Sequence, residues 1–253
     1  MLRNDPDSPP ILLTKQTKIN ALDLESKNEL RRLFQAFNPD EYKDALGLLL
    51  SLGIKQNFFN YPGEKFPPPT PARAYIESFL TEHKDLVNGR VIEFAPSLYK
   101  SLVMNEKVTD YDVWNIAPGS GVTIVGDIQD PSILPDDSVD TIILTHVLSA
   151  VKTPKLAIEN ISSFLSENGI ILCTVPVVLQ KFAPDPQDFW RFTKDSLEEL
   201  FSSMSIESYK AYGNAATVSG SPQYLMDYHF EEDVLFENDP HCPSVIGVVV
   251  RNN

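Results

Sequence analysis

From residue 90 onward the chain alternates short strand-like runs with amphipathic segments. The runs are 91–95 (VIEFA), 112–117 (DVWNIA), 122–126 (VTIVG), 141–145 (TIILT), 169–178 (GIILCTVPVV), 206–212 (IESYKAY) and 245–251 (VIGVVVR). The fourth, 141–145, is a continuous apolar run, as a strand buried on both faces requires. Thr153 and Pro154 open a helix carrying Leu156, Ile161, Phe164 and Leu165, and Asn168 with Gly169 close it. A second amphipathic segment, 195–204, places Leu197, Leu200, Phe201 and Met204 on one side. Strands alternating with helices of about 10–15 residues imply βαβ units and a mostly parallel sheet, an α/β fold.

Upstream the period is helical. Residues 1–24 are polar and Pro-containing, an arm rather than an element. Ser26 and Glu29 have capping-box spacing, followed by Leu30, Leu33, Phe34 and Phe37. Pro39 starts a second helix with Tyr42, Ala45, Leu46, Leu49 and Leu52 on one face, ending at Gly53. Residues 54–69 place Phe58, Phe59, Tyr61 and Phe66 among Pro and Gly, which makes an aromatic loop. Thr70 and Pro71 open a third helix, to about residue 83. The expected division is an arm and helical cap over 1–85 and the sheet domain over 86–253.

Charge narrows the partners. The net charge is −14 and the isoelectric point about 4.6. Phosphate backbones need clustered Lys and Arg, so neither a nucleic acid nor an anionic membrane surface is expected. The longest apolar runs fall well short of the ~18 residues of a membrane span. The first ten residues hold no apolar core of signal-peptide type. Cys173 and Cys242 form neither a disulfide framework nor a metal-ligand spacing, so the expected setting is the reducing cytoplasm and no metal is expected.

Each strand run ends at a polar or turn residue, and in open α/β sheets the carboxyl ends of the strands receive nucleotide-like ligands. The order of Glu93 to Ser97, then Gly126, Asp127 and Ile128, then the run 137–148, then 165–176, resembles the core of class I S-adenosylmethionine-dependent methyltransferases. That resemblance implies a Rossmann-like seven-stranded sheet, mostly parallel with an antiparallel last strand. It also implies S-adenosylmethionine as cofactor. Glu93, Ala95 and Ser97 then occupy the acid and turn beside the methionine half, although Ala95 stands where a Gly is expected. Asn115 falls where an acid would bind the ribose hydroxyls; an amide still offers an acceptor and two donors. Asp112 is nearby, but Asn115 is the preferred reading. Asp127 accepts from the adenine amino group and Ile128 covers the ring. His146 lies at the edge of the cofactor pocket and is the candidate general base, because an imidazole with a pKa near its reference of about 6.5 suits proton removal near neutrality. Ala150 stands where the family commonly carries His. No Gly-x-Gly-x-x-Gly turn supports a dehydrogenase.

Residues 185–193 (DPQDFWRFT) resemble a His-Asp-Tyr-Trp-Arg-Phe-Thr signature of bacterial methyltransferases around surface-polysaccharide and natural-product pathways. Gln187 replaces the His and Phe189 the Tyr. The resemblance covers about residues 88–253. It implies catalytic or positioning roles for Asp188 and Arg191 beside His146. It implies acceptor contacts from Trp190 and Arg191, joined by Tyr61 and Phe66 of the aromatic loop. Asp188, Trp190 and Arg191 equally suit a structural lock on the loop after the fifth strand. The expected activity is O-methylation, at a carboxylate or hydroxyl, of a peptide or other natural-product small molecule. The competing expectation is a methyltransferase-fold protein without catalysis that serves as a scaffold.

Overall fold

The computed structural model describes residues 70–94, 96–179, 187–220, 230 and 232–253. The expected arm, the first two helices, the aromatic loop with Tyr61 and Phe66, and Ala95 lie outside these residues.

Helix α1 (Pro71–His83) precedes β1 (Gly89–Phe94). Then come α2 (Lys100–Val103), β2 (Val108–Asn115), β3 (Ile124–Val125), β4 (Val139–Thr145), α3 (Pro154–Phe164) and β5 (Leu165–Pro176). The chain finishes with α4 (Lys194–Leu200), β6 (Ser205–Tyr212), α5 (Ala215–Gly220), α6 (Glu232–Phe236) and β7 (Val245–Arg251). The seven strands form one sheet in the order β3-β2-β1-β4-β5-β7-β6. Strands β1 to β5 pair in parallel, and β7 runs antiparallel to both β5 and β6. This is the α/β architecture expected from the sequence.

Both faces of the sheet are buried, and the strand period of two sorts the side chains. One face carries Ile92, Ile142, Leu144, Ile171, Cys173, Ile246 and Val248 beneath α3 and α4. The other carries Val91, Ile143, Ile170, Leu172 and Val249 beneath α1. Tyr75, Phe79 and Leu80 of α1 are fully buried there. Each such side chain contributes about 1.5–3 kcal/mol by removal from water. Thr70 caps α1, its hydroxyl accepting from the Arg73 amide, with Pro71 in the first turn. At Gly247 of β7 an added Cβ would lie 2.6 Å from the Phe79 ring, so α1 sits as close to the sheet as a bare backbone permits.

Several boundaries differ from expectation, among them those of β2, β3 and α3. Strand β2 starts at Val108 and stops at Asn115, leaving Ile116 71% exposed beyond it. Strand β3 is only Ile124 and Val125. Helix α3 stops at Phe164, and Leu165 already pairs with Val139. The next pair is Thr141 with Ile170, so residues 166–169 bulge, with Asn168 at φ 64°. The Asn-Gly pair therefore shapes a strand bulge rather than a helix end.

Candidate functional site

The chain lays β1, β2 and β3 successively to one side, then returns to place β4 on the other side of β1. Between β1 and β4 lies the topological switch point, and the loops after β1 to β4 meet at this rim.

Glu93, near the end of β1, is fully buried. Its Oε1 accepts from the Leu98 and Tyr99 amides at 2.7 and 2.9 Å. Its Oε2 accepts from the Ser97 hydroxyl at 2.9 Å and the Tyr111 hydroxyl at 2.6 Å. Four donors on one carboxylate satisfy a buried charge without a cation. The carboxylate thereby holds residues 97–99 as a fixed turn. Burial, together with the bond to Glu93, pushes the Tyr111 phenol well above its usual range. Burial raises the Tyr99 phenol to about 12.

Asn115 ends β2, half-buried, with Oδ1 accepting from the Ile116 amide at 2.9 Å. Asp112 lies inside β2 and is engaged. Its Oδ2 accepts from Arg90 Nε and Nη2 at 2.9 and 2.7 Å, and its Oδ1 from the Thr123 hydroxyl. After β3, Asp127 Oδ1 accepts from the Gln129 amide at 2.9 Å, and Gln129 Oε1 accepts from the Thr153 amide. Ile128 is only 6% exposed and packs in the core, where its carbonyl accepts from Asn160.

His146 follows β4 with φ 55°, in the left-handed region. Its amide donates to the Thr174 carbonyl at 2.8 Å and its carbonyl accepts from the Ser149 hydroxyl. Those two bonds hold a conformation that costs of order 1–3 kcal/mol, and such strain concentrates at functional sites. Its Nε2 is buried and has no hydrogen-bond partner. Burial first, then the charges of Arg73 and Arg191, lower its pKa to about 3. The reference value behind the general-base expectation therefore does not apply: at neutral pH the ring is uncharged and a far weaker base than free imidazole.

The 188–192 segment seats on the turn after β4. The Phe189 and Trp190 amides donate to the Ser149 carbonyl at 2.7 and 3.2 Å, and the Trp190 indole donates to the Val151 carbonyl at 2.9 Å. Arg191 pairs bidentately with Asp188, whose side chain is 2% exposed. The same guanidinium donates to the Leu179 carbonyl and the Trp190 carbonyl. Its donors are thus committed to the fold. Phe189 and Trp190 remain 42% and 44% exposed.

Two residues were missed in the sequence reading. Arg73 in the first turn of α1 reaches the Tyr99 hydroxyl with Nη1 at 3.0 Å, while its Nε is buried and unpaired. Thr174 of β5 is fully buried, with an unpaired hydroxyl on the face covered by α1. The one available signal was a cation placed in the first turn of a helix, against the macrodipole.

The seven-stranded, mostly parallel sheet with an antiparallel β7 is the methyltransferase-type sheet expected from the sequence. Residues 89–173 match the sequence model of a family described as a methyltransferase domain. That match spans β1 to β4, α3 and most of β5. No curated relative matches the sequence. Among solved structures, an S-adenosylmethionine-dependent methyltransferase from Archaeoglobus fulgidus is 12% identical, covering 71% of this chain and 94% of that one at a TM-score of 0.48. A putative type 11 methyltransferase from Sulfolobus solfataricus is 15% identical, covering 70% and 91% at 0.45. An S-adenosylmethionine-dependent methyltransferase from Mesorhizobium loti is 14% identical, covering 72% and 98% at 0.48.

Proposed function

We propose that the protein methylates an oxygen, a carboxylate or a hydroxyl, on a peptide or other natural-product small molecule. One observation carries this reading. At the switch point, Glu93, Asn115 and Asp127 end or follow three adjacent parallel strands, and beside them a buried His146 nitrogen has no partner. The residues fit the cofactor: orphaned buried polar atoms are uncommon in folded proteins and call for a partner. When bound, S-adenosylmethionine supplies a methyl group made electrophilic by the adjoining sulfonium.

This chain's residues contribute position. Asn115 and Asp127 offer hydrogen bonds to the ribose and the adenine amino group. Ala95 and Ser97 border the methionine half, and Glu93 acts through the turn it holds. Methyl transfer is an in-line displacement, and much of its acceleration comes from orientation. A neutral His146 donates or accepts a hydrogen bond there without removing a proton at neutral pH. That suits a carboxylate or an acidic hydroxyl, which reaches the site already deprotonated. Asp188 and Arg191 fix the 188–192 segment, so that Phe189 and Trp190 present apolar surface to the acceptor. Tyr61 and Phe66 belong to the same acceptor-binding group in this reading. The partner is a small molecule or peptide, not a nucleic acid or membrane. Among the described residues no helix is long and apolar enough to cross a membrane. The two free cysteines fit a cytoplasmic setting.

Calorimetry with S-adenosylmethionine tests the cofactor, and transfer of labelled methyl to carboxyl-bearing peptides against their methyl esters tests the acceptor. Micromolar cofactor binding and label lost on mild alkaline hydrolysis are expected. Absence of binding at millimolar ligand would overturn the enzyme reading in favour of a scaffold on the same fold.

A further inference from the structure

Among the described residues eight large apolar side chains are exposed, and only Phe189 and Trp190 are adjacent in sequence. Their backbone is fixed on both sides. Both amides donate to the Ser149 carbonyl, at 2.7 and 3.2 Å, and the amide of the buried Phe192 donates to the Pro176 carbonyl at 3.1 Å. The Asp188–Arg191 pair braces the segment between them. A single exposed apolar side chain is ordinary. Two aromatic rings kept half-exposed by a braced backbone are a preorganised surface, and preorganisation lowers the entropy lost on binding.

The chemistry of Trp190 narrows what this surface takes. Indole carries one polar group, a donor. Here it donates to the Val151 carbonyl at 2.9 Å, with the Lys152 carbonyl at 3.3 Å. The ring is left with its π surface, which favours a flat aromatic partner by offset stacking or edge contact. Two side chains of this exposure offer on the order of 150–200 Å², against ~800 Å² per partner in a stable protein interface, so the occupant is a small ring rather than a protein. The Ser149 carbonyl that anchors the pair belongs to the residue whose hydroxyl donates to the His146 carbonyl at 2.9 Å. The aromatic pair is therefore built onto the His146 turn, where a neutral imidazole removes no proton and the acceptor oxygen arrives as an anion.

We propose that Phe189 and Trp190 select the acceptor as an aryl acid: a carboxylate or acidic hydroxyl borne on an aromatic ring that stacks on Trp190. This deepens the proposed function, on which it rests, by giving the small-molecule acceptor a chemical class.

Calorimetry at pH 7.5, with and without S-adenosylhomocysteine, compares benzoate, cyclohexanecarboxylate and tetramethylammonium on wild type, Trp190→Phe and Trp190→Leu, after thermal melts confirm folding. Benzoate should bind about three- to tenfold tighter than cyclohexanecarboxylate, which carries the same charge on a ring without a π face. Trp190→Phe should keep that preference and Trp190→Leu abolish it. Fluorescence locates the ligand without a variant. The chain has two tryptophans, and Trp114 is 1% exposed and stacked on Phe94, so acrylamide quenching reads Trp190. Saturating benzoate should shield it, and unchanged quenching overturns the stacking site. Absent or equal binding of the two carboxylates also overturns it. So does a preference that survives Trp190→Leu, or an equal loss of both carboxylates in that variant, which marks a structural role. Tetramethylammonium bound through Trp190 in place of benzoate overturns it in favour of a cation site. Benzoate selected through Trp190 by a protein that binds no S-adenosylhomocysteine would keep the aryl-acid site and end the methyltransferase reading. S-adenosylhomocysteine binding without benzoate selection would end the aryl-acid site alone.

Discussion

Burial takes His146 far from its chemistry in water. Its folded pKa of about 3 lies below the unfolded value near 6.5, so the unfolded state binds the extra proton between those limits. This residue's contribution to stability is therefore complete above pH 6.5 and is lost as pH falls toward 3. Wild type should lose stability at up to about 1.4 kcal/mol per pH unit more steeply than His146→Gln between pH 6.5 and 4.5. Urea melts at half-unit pH steps measure the difference, and parallel slopes would refute the neutral buried ring. Glu93 is the opposite case, a buried acid with four donors. Glu93→Ala strands the donors of Ser97, Leu98, Tyr99 and Tyr111 and should cost about 3 kcal/mol or more in denaturant unfolding. Because the turn relaxes with it, adenosine-ligand affinity should fall as well.

Two elements are held by contacts that can be tested separately from chemistry. The segment from Asp188 to Phe192 is tied to the 146–151 turn by backbone bonds and to residue 179 through Arg191. Lysine cannot reproduce the bidentate pair or the donation to Leu179. Arg191→Lys should therefore lower the melting temperature and weaken cofactor and acceptor together, at a cost of about 2 kcal/mol. Loss of acceptor affinity alone, at unchanged melting temperature, would return Arg191 to direct substrate contact. Helix α1 is held by close approach. Gly247→Ala would drive a methyl group into the Phe79 ring, and the expected penalty is about 1–3 kcal/mol. Gly247→Ala with Phe79→Leu should recover part of it, which a double-mutant cycle reads directly.

At the scale of the whole molecule, a ligand seated across the ends of β1 to β4 spans both core clusters and should stabilise them as one unit. S-adenosylhomocysteine at 100 times its dissociation constant should add about 2.7 kcal/mol. For a chain of this size that corresponds to roughly 5–10 °C in melting temperature. Nicotinamide dinucleotides should give no shift, consistent with the missing Gly-x-Gly-x-x-Gly turn. A dinucleotide-specific shift would reassign the sheet to another cofactor class.

The strand runs, the helix opened by Thr70 and Pro71, and the doubly buried sheet were legible in the sequence, because burial on both faces demands continuous Val, Ile and Leu regardless of what packs on them. Asn115 at the end of β2 and Asp127 after β3 were reached through the resemblance, since the run read for β2 continued to Ala117 and only strand pairing stops it at Asn115. The bulge at residues 166–169 was not, because it arises from the pairing of β5 with β4, and the same Asn-Gly pair would equally suit a helix end. The Asp188–Arg191 pair was legible as one of two readings, a lock on the loop after the fifth strand, whereas the state of Arg73 was hidden more completely. In the sequence Arg73 is a single cation among Ala72, Ala74 and Tyr75, with nothing to mark its partner. Only the folding of α1 over the sheet and of residues 188–192 onto the turn after β4 decides that one guanidinium is filled and the other is left with donors to spend.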